Sequence, residues 1–507
     1  MRRVVSLFLP TWSTDRLRRR LGAGAPPVET PIVMIGRGGR QRLVTAADAA
    51  AQGLRLHPGM AAAQARALAA DLVAHDADPQ GDALALERLA LWGLRLYSPI
   101  VAADPPDGLV LDVTGAAHLC GGEAALLADI IDRLTVSGHA ARAAIADTWG
   151  AAHALARFAA RGALVAPAGD SGRMLTGLPI RALRLAPETV DGLGRLGFDR
   201  IGELATAPRA SLALRFGPEL TRRLDQAFGR SAEPIDPVES PELIQVRRVF
   251  AEPIGAPETL ARYTLQLVEA LCAALEGRGL GARVLDLRFH RVDNRIEAMR
   301  VGVARPVRDI KRLTRLLCDR LETVDPGFGV EAMTLAAPMA EPLDWRPMAS
   351  DLTAPAVADI GEVIDTLSNR FGHRRFYRVA PAQSDVPERA VRKIAPTAPP
   401  TGERWPSGWP RPVRLLARPE PIATVALLPD QPPVSFTWRG SRRRVVRADG
   451  PERIFGEWWR RDGELDAVRD YFQLEDEASA RFWVFRRGDG EQAATGDLSW
   501  WLHGLFG

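Results

Sequence analysis

Residues 283–304 read RVLDLRFHRVDNRIEAMRVGVA. Leu285, Leu287 and Phe289 alternate with Arg288 and His290, the period of two that turns one side of a strand inward and the other out. A second strand is expected over 296–304. Helical spacing flanks the pair at 257–276 and 307–321, and further strands are expected from Ile244 and over 329–335. Strand, helix, strand, strand, helix, strand across 244–343 is the βαββαβ order of a ferredoxin-like unit. Its second helix carries Arg308, Lys311, Arg312, Arg315 and Arg320 against Asp309 and Asp319. One face of the unit is therefore expected to meet phosphates.

Upstream, VVSLFL (4–9), PIVMIG (31–36), LVLDV (109–113) and ARAAIA (141–146) have strand character. Stretches 82–96, 123–134 and 149–160 repeat leucine or alanine at three- and four-residue spacing. A mixed sheet backed by helices follows. From 171 to 230 short helices are punctuated by Pro179, Gly192, Gly194, Gly197 and Pro208, which reads as a small helical module. Downstream, prolines 381, 387, 396, 399, 400, 406, 410 and 412 break any helix or central strand. Eight of the twelve tryptophans lie beyond residue 400, beside strand-like segments, so a compact β-rich end is expected. The domain limits predicted are 1–168, 169–240, 241–345, a linker with a short helix over 346–404, and 405–507.

A chain of 507 residues accommodates several such domains. It has no run of about 18 apolar residues, and Pro10 interrupts the N-terminal apolar stretch, so a buried strand is expected there rather than a leader or membrane helix. The expectation is a cytoplasmic protein without membrane association. Cys120, Cys272 and Cys318 are far apart and form neither a disulfide framework nor a four-cysteine zinc site. His118 beside Cys120 reads as a polar residue next to a small thiol, not as half of a metal centre. No metal and no cofactor are expected. The net charge of +4 is too small to define a partner, and only Lys311 and Lys393 among the 66 basic residues are lysine. Phosphate-loop, nucleophile-elbow and zinc-protease motifs are lacking from the sequence.

Order and local sequence say more. RRVVSLFLPTWSTDRL at the start, LVTAADAAAQGLRLHPGMAAAQA at 43–65, LYSPIVAADPPDGLVLDVTG at 96–115 and AAIADTWGAAHALARFAA at 143–160 resemble, in order and spacing, the palm and fingers blocks of Y-family translesion DNA polymerases. The resemblance continues through a helical thumb and a little finger, to about residue 345. It implies an α+β multidomain fold: palm and fingers, helical thumb, βαββαβ little finger, and here a small β-rich C-terminal domain. It also exposes what is missing. The family's two metals need carboxylates from the first strand and from an Asp-Glu pair. Those positions hold Phe8 and Pro10, then Asp107 and Gly108. Ala47 and Ala50 replace the tyrosine and arginine that hold the triphosphate, and Trp149 replaces the phosphate-binding lysine. In the thumb, Ala182-Leu183-Arg184 replaces the Gly-x-Gly of a helix-hairpin-helix. The resemblance therefore implies a dead nucleotide site.

LPxWxTDRL at the start, SDVPERA at 384–390 and a tail containing DGPERIFGEWWR, RFWVFR and WWLHGLFG resemble the ImuB family of polymerase-like proteins. That resemblance implies a non-catalytic scaffold of error-prone translesion synthesis. Its partners would be the sliding clamp, an ImuA-type RecA-like protein, an error-prone C-family DNA polymerase and, weakly, primer-template DNA. DNA contacts are expected from Arg247, Arg248, Arg288, Arg300, Arg308, Lys311, Arg312 and Arg315, and clamp contacts from Trp345, Met348 and Leu352. Gln245–Phe250 (QVRRVF) is the second candidate for the clamp, although it lies in an expected strand. Trp458, Trp459, Trp500 and Trp501 are expected to anchor protein partners, because adjacent tryptophans cannot both turn inward. Two rivals stand beside this reading: an active polymerase whose metal ligands have moved to Asp15 with Asp104 or Asp107, and a plain DNA-binding repair accessory.

Overall fold

The computed structural model describes residues 2–240, 242–343, 360–399, 401–402, 404, 411–426, 431–460, 464, 467–490 and 492–507. They form two compact units, Met1–Phe376 and Tyr377–Gly507. Among the described residues no helix is long and apolar enough to cross a membrane.

The first unit opens with β1 (Val4–Phe8) and α1 (Trp12–Leu21). A small fingers-like module follows: β2 (Ile32–Gly38), β3 (Gln41–Ala47), α2 (Ala49–Gly53), α3 (Ala62–Leu68) and β4 (Val73–Asp76). Then α4 (Pro79–Leu96), β5 (Ile100–Asp104), β6 (Gly108–Asp112), α5 (Glu123–Val136), β7 (Arg142–Ala146), α6 (Trp149–Phe158) and β8 (Ala163–Val165) complete the palm. Its sheet runs β5-β6-β1-β7-β8, with β1 central and antiparallel to both neighbours. Val5 and Leu7 face α4 and α5, packing on Leu86, Ala90, Leu94, Leu126 and Ile130. Strand alternation sends Val4, Ser6 and Phe8 to the other face. α6 lies there, buried without interruption from Gly150 to Ala156. Its alanines and Gly150 permit close packing. A Cβ at 150 would stand 2.9 Å from the Ala227 Cα.

The thumb contributes α7 (Ser171–Leu175), α8 (Pro187–Gly194), α9 (Ile201–Thr206), α10 (Arg209–Phe216) and α11 (Pro218–Ala227) around one leucine-rich core shared with α6. The little finger has β9 (Ile244–Ile254), α12 (Pro257–Glu276), β10 (Leu280–Arg291), β11 (Ile296–Val307), α13 (Ile310–Cys318) and β12 (Val330–Pro342). The sheet order β11-β10-β12-β9 and two helices on one face give the ferredoxin-like arrangement. One further helix, α14 (Gly361–Phe371), packs on β11 and α13.

The second unit begins within the stretch assigned from sequence to the linker. β13 (Arg378–Pro381) and β14 (Val391–Ile394) pair as a hairpin, and the intervening SDVPERA segment packs Val386 against Ile454, Tyr471, Trp483 and Phe485. Arg389 fastens it, 2.9 Å from Glu457 and 2.5 Å from Glu464. Proline density stops helices, but it does not stop a short hairpin at an edge. The remaining strands are β15 (Arg414–Pro421), β16 (Ala423–Val425), β17 (Ser435–Trp438), β18 (Ser441–Phe455), β19 (Val468–Asp476), β20 (Arg481–Arg487) and β21 (Trp500–Leu505). They run β15-β21-β20-β19-β18-β17-β16. The two end strands are consecutive in the chain, joined through Ile422, whose N–H donates to Trp500 O at 3.0 Å. The sheet closes on itself at that corner, around Phe436, Phe472, Leu474, Phe482, Val484, Trp500 and Leu502.

Candidate functional site: the palm carboxylates and the arginines around them

Phe8, at the end of β1, pairs with Gly108 at the start of β6. This is the point of the sheet where metal-binding carboxylates are expected and missing. A cation from the chain itself fills it. One helical turn apart on α6, His153 and Arg157 point to the same place. Arg157 Nη2 donates to Asp107 Oδ1 at 2.8 Å and lies 3.7 Å from Asp104 Oδ2. The guanidinium carbon stands 4.8 Å from the Phe8 ring centroid, a cation–π distance. His153 Nε2 is 3.8 Å from Asp104 Oδ2. A Cβ at position 108 would lie 2.8 Å from Arg157 Nη2 and 2.7 Å from Leu7 O, so glycine is required as the structure stands.

Electrostatics agree with a closed structural site. Burial, opposed by Arg157, raises the Asp107 carboxyl above the ordinary value. Burial, then Arg157, Arg184 and Arg223, pull His153 down to about 2, so its ring is neutral at physiological pH. Asp15, needed by the relocated-ligand reading, is engaged elsewhere: it accepts from Thr11 Oγ1 at 2.8 Å and from Ala140 N at 3.0 Å. Among the described residues no three His, Cys, Asp or Glu side chains converge as metal ligands.

The positions expected from the resemblance to hold a triphosphate carry Ala47, Ala50 and Trp149. Ala47 is buried in the fingers core and Ala50 is half-buried on α2. Trp149 opens α6, with the Arg184 guanidinium 4.7 Å over its ring. Arg184 itself adopts a left-handed φ of 58° at the thumb hairpin. Its side chain turns inward to Glu233 at 2.5 Å, an oxygen shared with Arg223 at 3.1 Å. The hairpin's cation is spent internally.

The eight arginine and lysine positions expected on DNA do not share a face. Strand alternation separates neighbours: Arg247 projects with Arg288 on the open face of the sheet, whereas Arg248 lies on the helix side, 5.4 Å over the Tyr263 ring. Arg300 needs correcting outright. It is 3% exposed, holds Asp286 at 2.7 Å and also donates to Leu94 O of the palm. Arg288 is 4% exposed and donates to Gln245 Oε1 at 3.1 Å. On α13, Arg312 pairs with Asp365 and Arg315 lies 3.4 Å from Glu362; just before it, Arg308 lies 3.8 Å from Glu276. Asp365 and Glu362 come from α14, an element whose packing the sequence did not announce, and Glu276 ends α12. Arg247, Arg248, Lys311 and Arg315 remain exposed.

Trp345, Met348 and Leu352 lie outside the described residues. Gln245–Phe250 is part of β9, and the Phe250 ring packs tilted against Tyr263 with centroids 4.7 Å apart. The two tryptophan pairs differ. Trp458 and Trp459 are both exposed, at 56% and 65%, and meet edge to face. Trp500 belongs to the core of the second unit, so its assignment as a partner anchor is corrected. Trp501 is half-buried, with Nε1 donating to Ser499 Oγ at 2.8 Å and Arg487 over its ring.

Comparison with known proteins places this geometry. The model of the impB/mucB/samB family C-terminal domain matches residues 241–343, the little finger. A DNA polymerase IV of Dehalococcoides mccartyi (strain CBDB1) is 27% identical over 268 residues, 52% of this chain and 68% of that one. Among solved structures, DinB from Sulfolobus solfataricus aligns over 66% of this chain and 98% of its own, with 14% identity and a TM-score of 0.38. Protein ImuB of Caulobacter vibrioides (strain NA1000 / CB15N) is 47% identical over 462 residues, covering 89% of this chain and all of the relative. The chain has the architecture of a Y-family polymerase-like protein. More narrowly, it belongs to the ImuB family.

Proposed function

We propose that this protein is a non-catalytic scaffold of error-prone translesion DNA synthesis in the bacterial cytoplasm. It assembles the sliding clamp, an ImuA-type RecA-like protein and an error-prone C-family polymerase at damaged DNA, holding primer-template weakly. The observation that carries the non-catalytic part is Arg157 on Asp107. Nucleotidyl transfer in this fold class needs two divalent cations beside the β1–β6 junction. A fixed guanidinium there repels them and uses the remaining carboxylate. The loss of the fingers and α6 phosphate contacts points the same way.

The scaffolding part rests on family membership and on the second unit, whose exposed Phe455, Trp458 and Trp459 offer aromatic anchors of the kind protein interfaces use. The active-polymerase reading would need ligands that Asp15, held by Thr11 and Ala140, and Asp104 and Asp107, both facing Arg157, do not supply. Primer extension by the purified protein with Mg²⁺ or Mn²⁺ is the test of the first part: template-dependent incorporation that disappears on Asp107→Ala would overturn it. Pull-down of the clamp, the RecA-like protein and the polymerase by the full chain tests the second, and capture of none of them would reduce the reading to a DNA-binding accessory.

A further inference from the structure

We infer that α14 is a clasp that locks the little finger to the palm, making the β11 side of its sheet's open face an internal interface rather than a free surface for phosphates, while Arg247 at the β9 side stays exposed. β11 is an edge strand. Its outward N–H and C=O groups would be open to another strand or to water. α14 covers them with side chains. Asn369 accepts from Gly302 N at 2.9 Å through Oδ1 and donates to Gly302 O at 2.7 Å through Nδ2, so its amide pairs with the strand as a peptide group would. Asp365 Oδ1 accepts from Ala304 N at 2.7 Å. The spacings match: four residues of helix rise ~6 Å and two residues of strand ~6.6 Å. Asp365 and Asn369 are 1% and 6% exposed. Asp365 also pairs with Arg312 of α13, which ties the helix to the little finger from a second side.

The same helix grips the palm. Asn369 O lies 2.9 Å from His118 Nε2, and just beyond α14 Arg374 reaches Asp129 of α5 at 3.3 Å. Between them the chain passes so close to the palm that a Cβ at Gly372 would stand 2.4 Å from His118 O, at a φ of +89°. Only glycine fits both demands. The little finger touches the palm directly as well. Arg320 Nη2 donates to Gly115 O at 3.2 Å, Arg300 reaches Leu94 O, and Ile296 and Ala298 pack on Val4, Ile100 and Val110. The part of the face that carries Arg288 and Arg300 is therefore covered by the protein itself.

The test is the palm-to-finger distance in the full chain. Spin labels would be placed at exposed Leu84 of α4 and Leu265 of α12 through Leu84→Cys and Leu265→Cys, with Cys120, Cys272 and Cys318 replaced by serine or alanine. Pulsed dipolar spectroscopy should give one narrow distance in this parent. Asn369→Leu, which removes the amide pairing, should broaden the distribution and extend it to longer distances. Arg320→Met, which breaks the contact from the other side, is the second variant should the first fail to fold by circular dichroism. A broad distribution in the parent, or a narrow one retained in a folded variant, would overturn the clasp.

Discussion

Arg157 Nη2 and Asp107 Oδ1 meet at 2.8 Å where β1 and β6 pair, and the guanidinium stands in the volume a side chain at position 108 would need. Arg157 occupies the place where the resemblance to polymerases expects metal-binding carboxylates. Simple reversal of the missing residues is therefore not expected to restore a metal site.

Gly108→Glu should destabilise the protein, because its Cβ meets Leu7 O and Arg157. Overpacking of this kind typically costs ~1–3 kcal/mol. Urea denaturation would measure it, and the loss should shrink when Arg157→Ala is combined with it, since one of the two colliding groups is then gone.

Arg157→Ala alone leaves Asp104 and Asp107 without their cation. Loss of a partner from a partly buried carboxylate costs about 1–3 kcal/mol. The Arg157→Ala/Asp107→Asn double variant should be more stable than the sum of the single losses, a coupling readable in a double-mutant cycle.

Arg300 and Arg247 separate a structural arginine from a surface one. Breaking the buried Arg300–Asp286 pair with Arg300→Met should cost ~3–5 kcal/mol, whereas Arg247→Met should stay within about 0.5 kcal/mol. If Arg247 contacts DNA, its loss should weaken binding uniformly across sequences and flatten the salt dependence, measured by anisotropy.

Trp500→Ala should lower stability by ~3–5 kcal/mol through the cavity it leaves in the second unit. Trp458→Ala and Trp459→Ala should leave the melting temperature nearly unchanged. If they anchor a partner, each should weaken its capture at least ~10-fold.

Acid should destabilise the fold early. Burial lowers His139, His290 and His503 from 6.5 to about 4, and His153 to about 2. Below 6.5 the unfolded chain takes up protons that these rings refuse, so stability falls as pH drops from 6.5 towards 4. The melting temperature should decline across that window. Replacing His139, the ring packed against Trp12, by glutamine should reduce the decline.

The sequence determined what is local. Period-two alternation in 283–290 and helical spacing around it fixed the ferredoxin-like unit, and Phe8, Pro10, Gly108, Ala47, Ala50 and Trp149, set against the polymerase pattern they resemble, led to the expectation of a degenerate nucleotide site. Strand alternation also separates Arg247 from Arg248, a distinction legible in the sequence. Other features came only from long-range packing. Arg157 reaches Asp107 across 50 residues and Arg300 reaches Leu94 O across 206, and no local periodicity encodes either approach. Proline density at 381–412 disguised a hairpin and its Arg389 fastening. The helix at 361–371 decided that both arginines of α13, Arg312 and Arg315, are paired with acids. A residue's type limits the charges and hydrogen bonds it can offer; which partner takes them depends on what the folded chain brings within about 3 Å.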